Sequence, residues 1–201
     1  MIHHAKKGLI HQNFQKKVSD GFTLVETLVA ITVLMGAITA PLYIASQGIG
    51  ITALARDQVI AAYLAQDAVE YVVAKKKQNT LDSVLNPSSG VEWLEELDSA
   101  CTSSDGCAID TTYTHTGPLQ ALACASSGCP PLKFNSTTGA YGYDEGAQWT
   151  DSRFTRTVVI VPLSTGATED EAVVAVTISW KNSFLQTKTF TLKTNIYNTV
   201  L

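Results

Sequence analysis

Charge is missing from this chain where most chains have it. No Asp, Glu, Lys or Arg occurs between Glu26 and Arg56, and the four types together make up only 16% of the 201 residues. A charge-free run of that length exceeds the apolar stretch of a secretory signal and reads as a transmembrane helix. One span leaves room for a single compact domain behind it. The chemistry-bearing motifs are absent as well. No Ser or Cys nucleophile motif, no phosphate-cradling glycine loop and no metal triad occurs, so nothing points to catalysis, to a cofactor or to a metal. Three of the four histidines, His3, His4 and His11, fall in the first 21 residues, which leaves His115 alone in the remainder. Basic residues are scarce too. Residues 1–21 carry four lysines and one aspartate, net +3, and the rest carries ten basic and seventeen acidic residues, net −7. So acidic a body is a poor partner for nucleic acid, whose phosphates call for Lys and Arg.

What is present begins at Gly21-Phe22-Thr23-Leu24-Val25-Glu26. Lys6, Lys7, Lys16 and Lys17 precede it, and basic residues flanking a first span hold that side in the cytoplasm. The remainder is then exported. Glu26 is a lone carboxylate at the start of the apolar run. Such a group costs about 2.5–3.5 kcal/mol on insertion scales and requires a partner. Within the run, Pro41 removes a backbone donor and is expected to kink or locally open the helix, and Gly36, Gly48 and Gly50 weaken it further.

Past Arg56 the pattern turns amphipathic. Leu54, Ala61, Leu64, Ala65, Ala68, Tyr71 and Val72 recur at three- and four-residue steps and share one helical face. Lys75, Lys76 and Lys77 read as a solvated last turn that suits the helix dipole, with Asn79 and Thr80 ending a helix that spans residues 23–78. Residues 79–152 read mainly as loops, with one short helix from Gly90 to Leu97 that turns Trp93, Leu94 and Leu97 inward. All four cysteines lie here, as Cys101, Cys107, Cys124 and Cys129. In an exported domain an even count implies disulfides. Three connectivities exist, and the local pairing Cys101–Cys107 with Cys124–Cys129 is favoured. Zinc is the rival, with His115 between the pairs, but neither spacing is of the C-x2-C kind.

From Arg153 the period becomes two. One strand runs to Pro162, an acidic loop follows at Thr168-Glu169-Asp170-Glu171, a second strand spans Val173–Lys181, a turn lies at Lys181-Asn182-Ser183, and a third strand spans Phe184–Tyr197. These form an antiparallel meander over residues 153–198 with one face free to cover a helix.

The hexapeptide at Gly21, followed by some twenty apolar residues, resembles the cleavage and methylation motif of type IV prepilins and type II secretion pseudopilins. Arg56-Asp57-Gln58, then Ala61-Ala62-Tyr63-Leu64-Ala65-Gln66-Asp67 and Glu70, is similar to the minor pilin V and minor pseudopilin I class. So is the Val174-x-Val176-x-Ile178-Ser179-Trp180 strand with Thr189–Tyr197. The resemblance covers roughly residues 21–78 and 153–198. It implies an α+β pilin-like fold: a leader over 1–21, a long helix over 22–78 that crosses the membrane at about 23–51, and a head over 79–201 packed on the helix. It implies a prepilin peptidase that cuts between Gly21 and Phe22, methylation of the Phe22 amine, and a Glu26 carboxylate that meets that amine on a neighbouring subunit. The implied partners are sister subunits in a filament, a membrane assembly platform and the lipid bilayer. The implied place is the inner membrane and then the filament, in a minor, initiating or tip role. A major repeating subunit, or a tip adhesin using the same anchor, is the alternative.

Overall fold

A computed structural model of the chain describes residues 21–112, 121–163, 170–181 and 186–199. The expected leader before Gly21, His115, Thr168 and Glu169 of the acidic loop, and Asn182 and Ser183 of the turn lie outside the described residues. The chain divides into two compact units, one ending at Ile49 and one beginning at Gly50.

Helix α1 (Leu24–Leu85) contributes to both. In the first unit every described residue is exposed. Hydroxyls in this apolar segment are satisfied by the helix itself. Thr27, Thr32 and Ser46 each donate to the carbonyl three residues back at 2.8 Å, and Thr39 donates to Met35. Pro41 lies inside the helix, which has no break on either side of it. By length and composition it is able to cross a membrane.

The second unit is a helix-on-sheet layer. Strands β1 (Cys107–Ile109), β2 (Ala121–Ala123), β3 (Pro131–Asn135), β4 (Tyr141–Gly142), β5 (Trp149–Leu163), β6 (Glu171–Lys181) and β7 (Thr187–Tyr197) form one antiparallel sheet. The expected β-meander is its C-terminal part, β5–β6–β7. On its other edge β5 pairs first with β3, which carries β4, and then at Val158 with β1, which carries β2. The segment 79–152, expected as loops, therefore supplies four strands. They are two to five residues long, too short for a period of two to stand out from the Ser and Gly around them. Pro162 sits inside β5, opposite Ala172. Its missing donor is tolerated because β1 meets β5 only at Val158, which leaves that edge open there.

Alternation sorts the faces. Phe154, Arg156, Val158 and Ile160 of β5 and Ala172, Val174, Val176, Ile178 and Trp180 of β6 point into the core. In β7 only Ile196 is fully covered, with Phe190 and Leu192 half-buried, as befits an edge strand. The helix meets this face with Ala61, Leu64, Ala65, Ala68, Tyr71 and Val72, the stripe expected from the sequence except for Leu54, which is half-buried and outside the core. Its three alanines let the helix axis approach the sheet closely.

That stripe does not end where the lysines begin. Lys75, Lys76 and Asn79 continue it at the same three- and four-residue steps and are buried, and α1 ends at Leu85 with no basic residue in its last turn. The solvated lysine terminus at Gln78 is thus corrected. Lys75 pairs with Glu96 at 2.6 Å, and the Asn79 amide donates to the carbonyls of Glu95 at 2.9 Å and Trp93 at 3.4 Å. The expected helix at 90–97 is instead a turn at Trp93–Leu97, held by those contacts, and α2 (Asp98–Cys101) follows it. Leu94 and Leu97 are buried and Trp93 half-buried.

Both disulfides close locally, Cys101–Cys107 and Cys124–Cys129, and no free cysteine remains. The first ties α2 to β1. Inside its loop Gly106 has φ +69°, and a Cβ there would lie 2.6 Å from the Val158 carbonyl oxygen, so only glycine fits. The second spans a tight turn bridged between Ala125 and Gly128.

Candidate functional site

Two places carry the polar groups that can act. The first is the start of α1. Gly21 and Phe22 precede the helix, and Phe22 is 78% exposed. Thr23 is the N-cap. Its Oγ1 accepts the Glu26 amide at 3.3 Å, and its carbonyl accepts the Thr27 amide at 3.1 Å. Thr23-x-x-Glu26 is the spacing of a capping box. A carboxylate in the first turn also faces the positive end of the helix dipole. Glu26 therefore has a local role that the membrane reading of the hexapeptide passes over. The signal for it was present: a Thr three residues ahead of a Glu at the head of an apolar run. Gly21, Phe22 and Glu26 lie within one stretch of six residues. Pro41 is fifteen residues further along the same helix, and the cysteines belong to the other unit.

The second place is centred on Arg156, the only charged residue among the inward positions of β5 and fully buried. Its Nη1 donates to the Leu64 carbonyl at 3.2 Å and to Asp67 Oδ2 at 3.3 Å. Its Nη2 donates to the Ile109 carbonyl at 2.6 Å and to Thr111 Oγ1 at 3.3 Å. The Thr111 hydroxyl in turn donates to Asp67. One guanidinium thus joins α1, β5 and the end of β1. Next to it, Asp110 accepts from the Thr112 amide and hydroxyl and from the Tyr143 amide, at 2.7–3.0 Å. Closer to the start of the head, Arg153 pairs with the buried Asp57 at 2.9 Å. A sequence reading sees Arg156 in the alternating set with Phe154, Val158 and Ile160. The position alone marks it, since a charge at an inward register needs a partner.

Burial pushes the Tyr143 phenol up to about 12, against the pull of the nearby Arg156 guanidinium, and Asp110 adds to the rise. Burial raises Tyr71 and Tyr141 as well. An unfolded tyrosine ionises near pH 10. A folded value above that gives stability that is complete below about pH 10 and is lost as pH rises towards 12. Urea midpoints measured from pH 9 to 12 are expected to fall across that window. Tyr143→Phe is expected to flatten most of the slope, and an unchanged slope would contradict the assignment.

Alongside this network, Tyr63 and Asp67 of α1, Thr112 after β1, Asn135 of β3, Tyr141 of β4 and Trp149 of β5 are among the residues that line an open cleft of about 760 Å³. Among the described residues no group of three His, Cys, Asp or Glu side chains is placed to hold a metal ion. The sites are thus suited to packing, capping and pairing of charge. Comparison with family models, with characterised proteins and with solved structures finds no match for this chain.

Proposed function

We propose that this chain is a minor pilin or pseudopilin, a membrane-anchored subunit that is cut after Gly21 and built into a type IV pilus or type II secretion-like filament. The observation that carries the reading is the hexapeptide Gly21–Glu26 joined without a break to an apolar helix. That segment has no charge until Arg56, and its described residues up to Gly50 are exposed. Exposed apolar surface of this extent demands lipid or other helices around it. A bilayer and then a bundle of the helices of sister subunits would supply both in turn.

In this reading prepilin peptidase removes the leader, and the Phe22 amine is released and methylated. Glu26 then meets the amine of the subunit beside it. The assembly platform lifts the subunit, and register is set by charge pairing before the apolar helices close on one another. The α+β head, stapled by two disulfides and by Arg156, suits an exported part. The place at a tip or in initiation rests on the likeness of residues 56–70 and of the C-terminal strands to the minor V and I class.

Co-expression with a prepilin peptidase tests the reading. Wild-type chain is expected to lose the mass of residues 1–21, whereas Gly21→Trp is expected to stay intact. Cutting elsewhere, or equal cutting of both forms, would overturn it.

A further inference from the structure

Lys75 and Lys76 are neighbours on the buried stripe of α1, yet they are satisfied unequally. Lys75 has Glu96 at 2.6 Å. Lys76 is 9% exposed, and among the described residues its ammonium makes one long hydrogen bond, 3.5 Å to the Thr199 hydroxyl. Among the described residues no carboxylate stands within ion-pair distance of it. An ammonium withdrawn from water without a counter-charge is unfavourable. Its burial, together with the like charge of Lys77, pushes its pKa down.

Beside this group lies a cleft of about 440 Å³, lined by Lys76, Lys77, Thr80, Leu81, Val84 and Thr199. The lining is sorted along the helix. Two ammoniums and the Thr199 hydroxyl, all able to donate to an anion, occupy one end, and the Thr80 hydroxyl there donates to the Lys76 carbonyl at 3.0 Å. Leu81 and Val84 occupy the other, each more than half exposed. Eight residues separate Lys76 from Val84, about 12 Å of helix.

We propose that this cleft binds an aliphatic carboxylate, a small acid whose head sits between Lys76 and Lys77 and whose chain lies along Leu81 and Val84. The volume is within the range of small-molecule sites. An alcohol of the same length leaves the Lys76 ammonium without a counter-charge, and an amine adds a third positive charge. An inorganic anion covers neither Leu81 nor Val84. The site uses none of the residues of the Gly21–Glu26 segment and stands apart from the filament reading.

The test uses the full chain in detergent micelles, with lysine labelled at Cε, titrated with butanoate, hexanoate and octanoate and with hexanol and hexylamine. Hexanoate is expected to shift the Lys76 and Lys77 signals saturably. Affinity should rise about fourfold per added methylene, the equivalent of about 0.8 kcal/mol. Lys76→Gln is expected to weaken hexanoate at least about tenfold, which is one unit of pKa-scale interaction. Val84→Ser, at an exposed position, is expected to flatten the dependence on chain length. Hexanol binding as tightly as hexanoate, or Lys76→Gln binding like the wild type, overturns the proposal. So does saturable binding of an acidic peptide with none of hexanoate. The full chain with its C-terminal carboxylate converted to the amide is expected to bind hexanoate as the unmodified chain does, and hexanoate binding confined to the amidated chain overturns it as well.

Discussion

Glu26→Gln and Glu26→Leu proteins are expected to reach the membrane at normal level, to be cut normally after Gly21, and to be missing from filaments. The magnitude decides between two roles for this carboxylate. As the N3 member of a capping box, facing the positive end of the helix dipole, it contributes about 0.3–1 kcal/mol to the helix start. As the partner of a neighbouring amine inside an apolar bundle its removal leaves a buried cation, a cost of about 3–5 kcal/mol. The two substitutions separate these roles. Glutamine at this position keeps the side-chain acceptor that a capping box uses and removes only the charge, while leucine removes both; the bond from the residue 26 amide to Thr23 Oγ1 survives either change. If capping is all that Glu26 does, Gln behaves as wild type and Leu assembles slightly less well. If the charge pair matters, Gln and Leu fail alike, on the order of 100-fold or more in incorporation. Membrane level should not drop in either case, since removing the charge makes insertion easier by about 2.5–3.5 kcal/mol. Incorporation of the Gln protein at wild-type level would remove the assembly role from this residue.

Arg156→Ala is expected to cost the head about 3–5 kcal/mol, through a cavity in the core and the loss of a buried hydrogen-bonded charge. For a chain of this size each kcal/mol lowers Tm by roughly 2–4 °C, so a fall on the order of 10 °C or more should be seen. Asp67→Asn should cost far less, about 1 kcal/mol or under, because half of the Asp67 side chain is in water and a neutral amide still accepts from the guanidinium. Arg156→Met is the informative third variant. It fills much of the same volume without a charge to satisfy, and apolar replacements of buried ions are often tolerated. A loss for Met close to that for Ala would assign the stabilisation to the hydrogen bonds that join α1, β1 and β5. A near-neutral Met would assign it to packing. A Tm unmoved in Arg156→Ala would contradict the central place given to this residue.

The parts of the fold that were legible in the sequence are those with a long, clean period. The charge-free run, the Ala61–Val72 stripe and the alternation in β5 and β6 each persist over ten residues or more, so chance interruptions do not hide them. What escaped has a common cause. Lys75, Lys76 and Asn79 sit on the buried face although their type signals solvent, and their partners are Glu96, Thr199 and the carbonyls of Trp93 and Glu95. Those partners are 14 to 123 residues away, and no local window contains them. In the cysteine-bearing segment β1 and β3 are likewise fixed by pairing with β5, β2 and β4 by pairing with those two, and the disulfides add to this, while the strands' own propensity is weak. Cys101–Cys107 and Cys124–Cys129 were readable because short loops make local closure the least demanding of the three pairings. At the helix start the residues themselves were plain, and the double duty of Thr23 and Glu26 emerged only with the hydrogen bond between them.

The filament account is tested most directly by the N-terminus of the chain in filaments sheared from native cells. Intact-mass and peptide analysis should find a polypeptide that begins at N-methylated Phe22, with Glu26 four residues beyond the modified amine. A chain retaining Met1 in those filaments, a start at any other residue, or its absence from filaments that assemble normally without it would contradict the account.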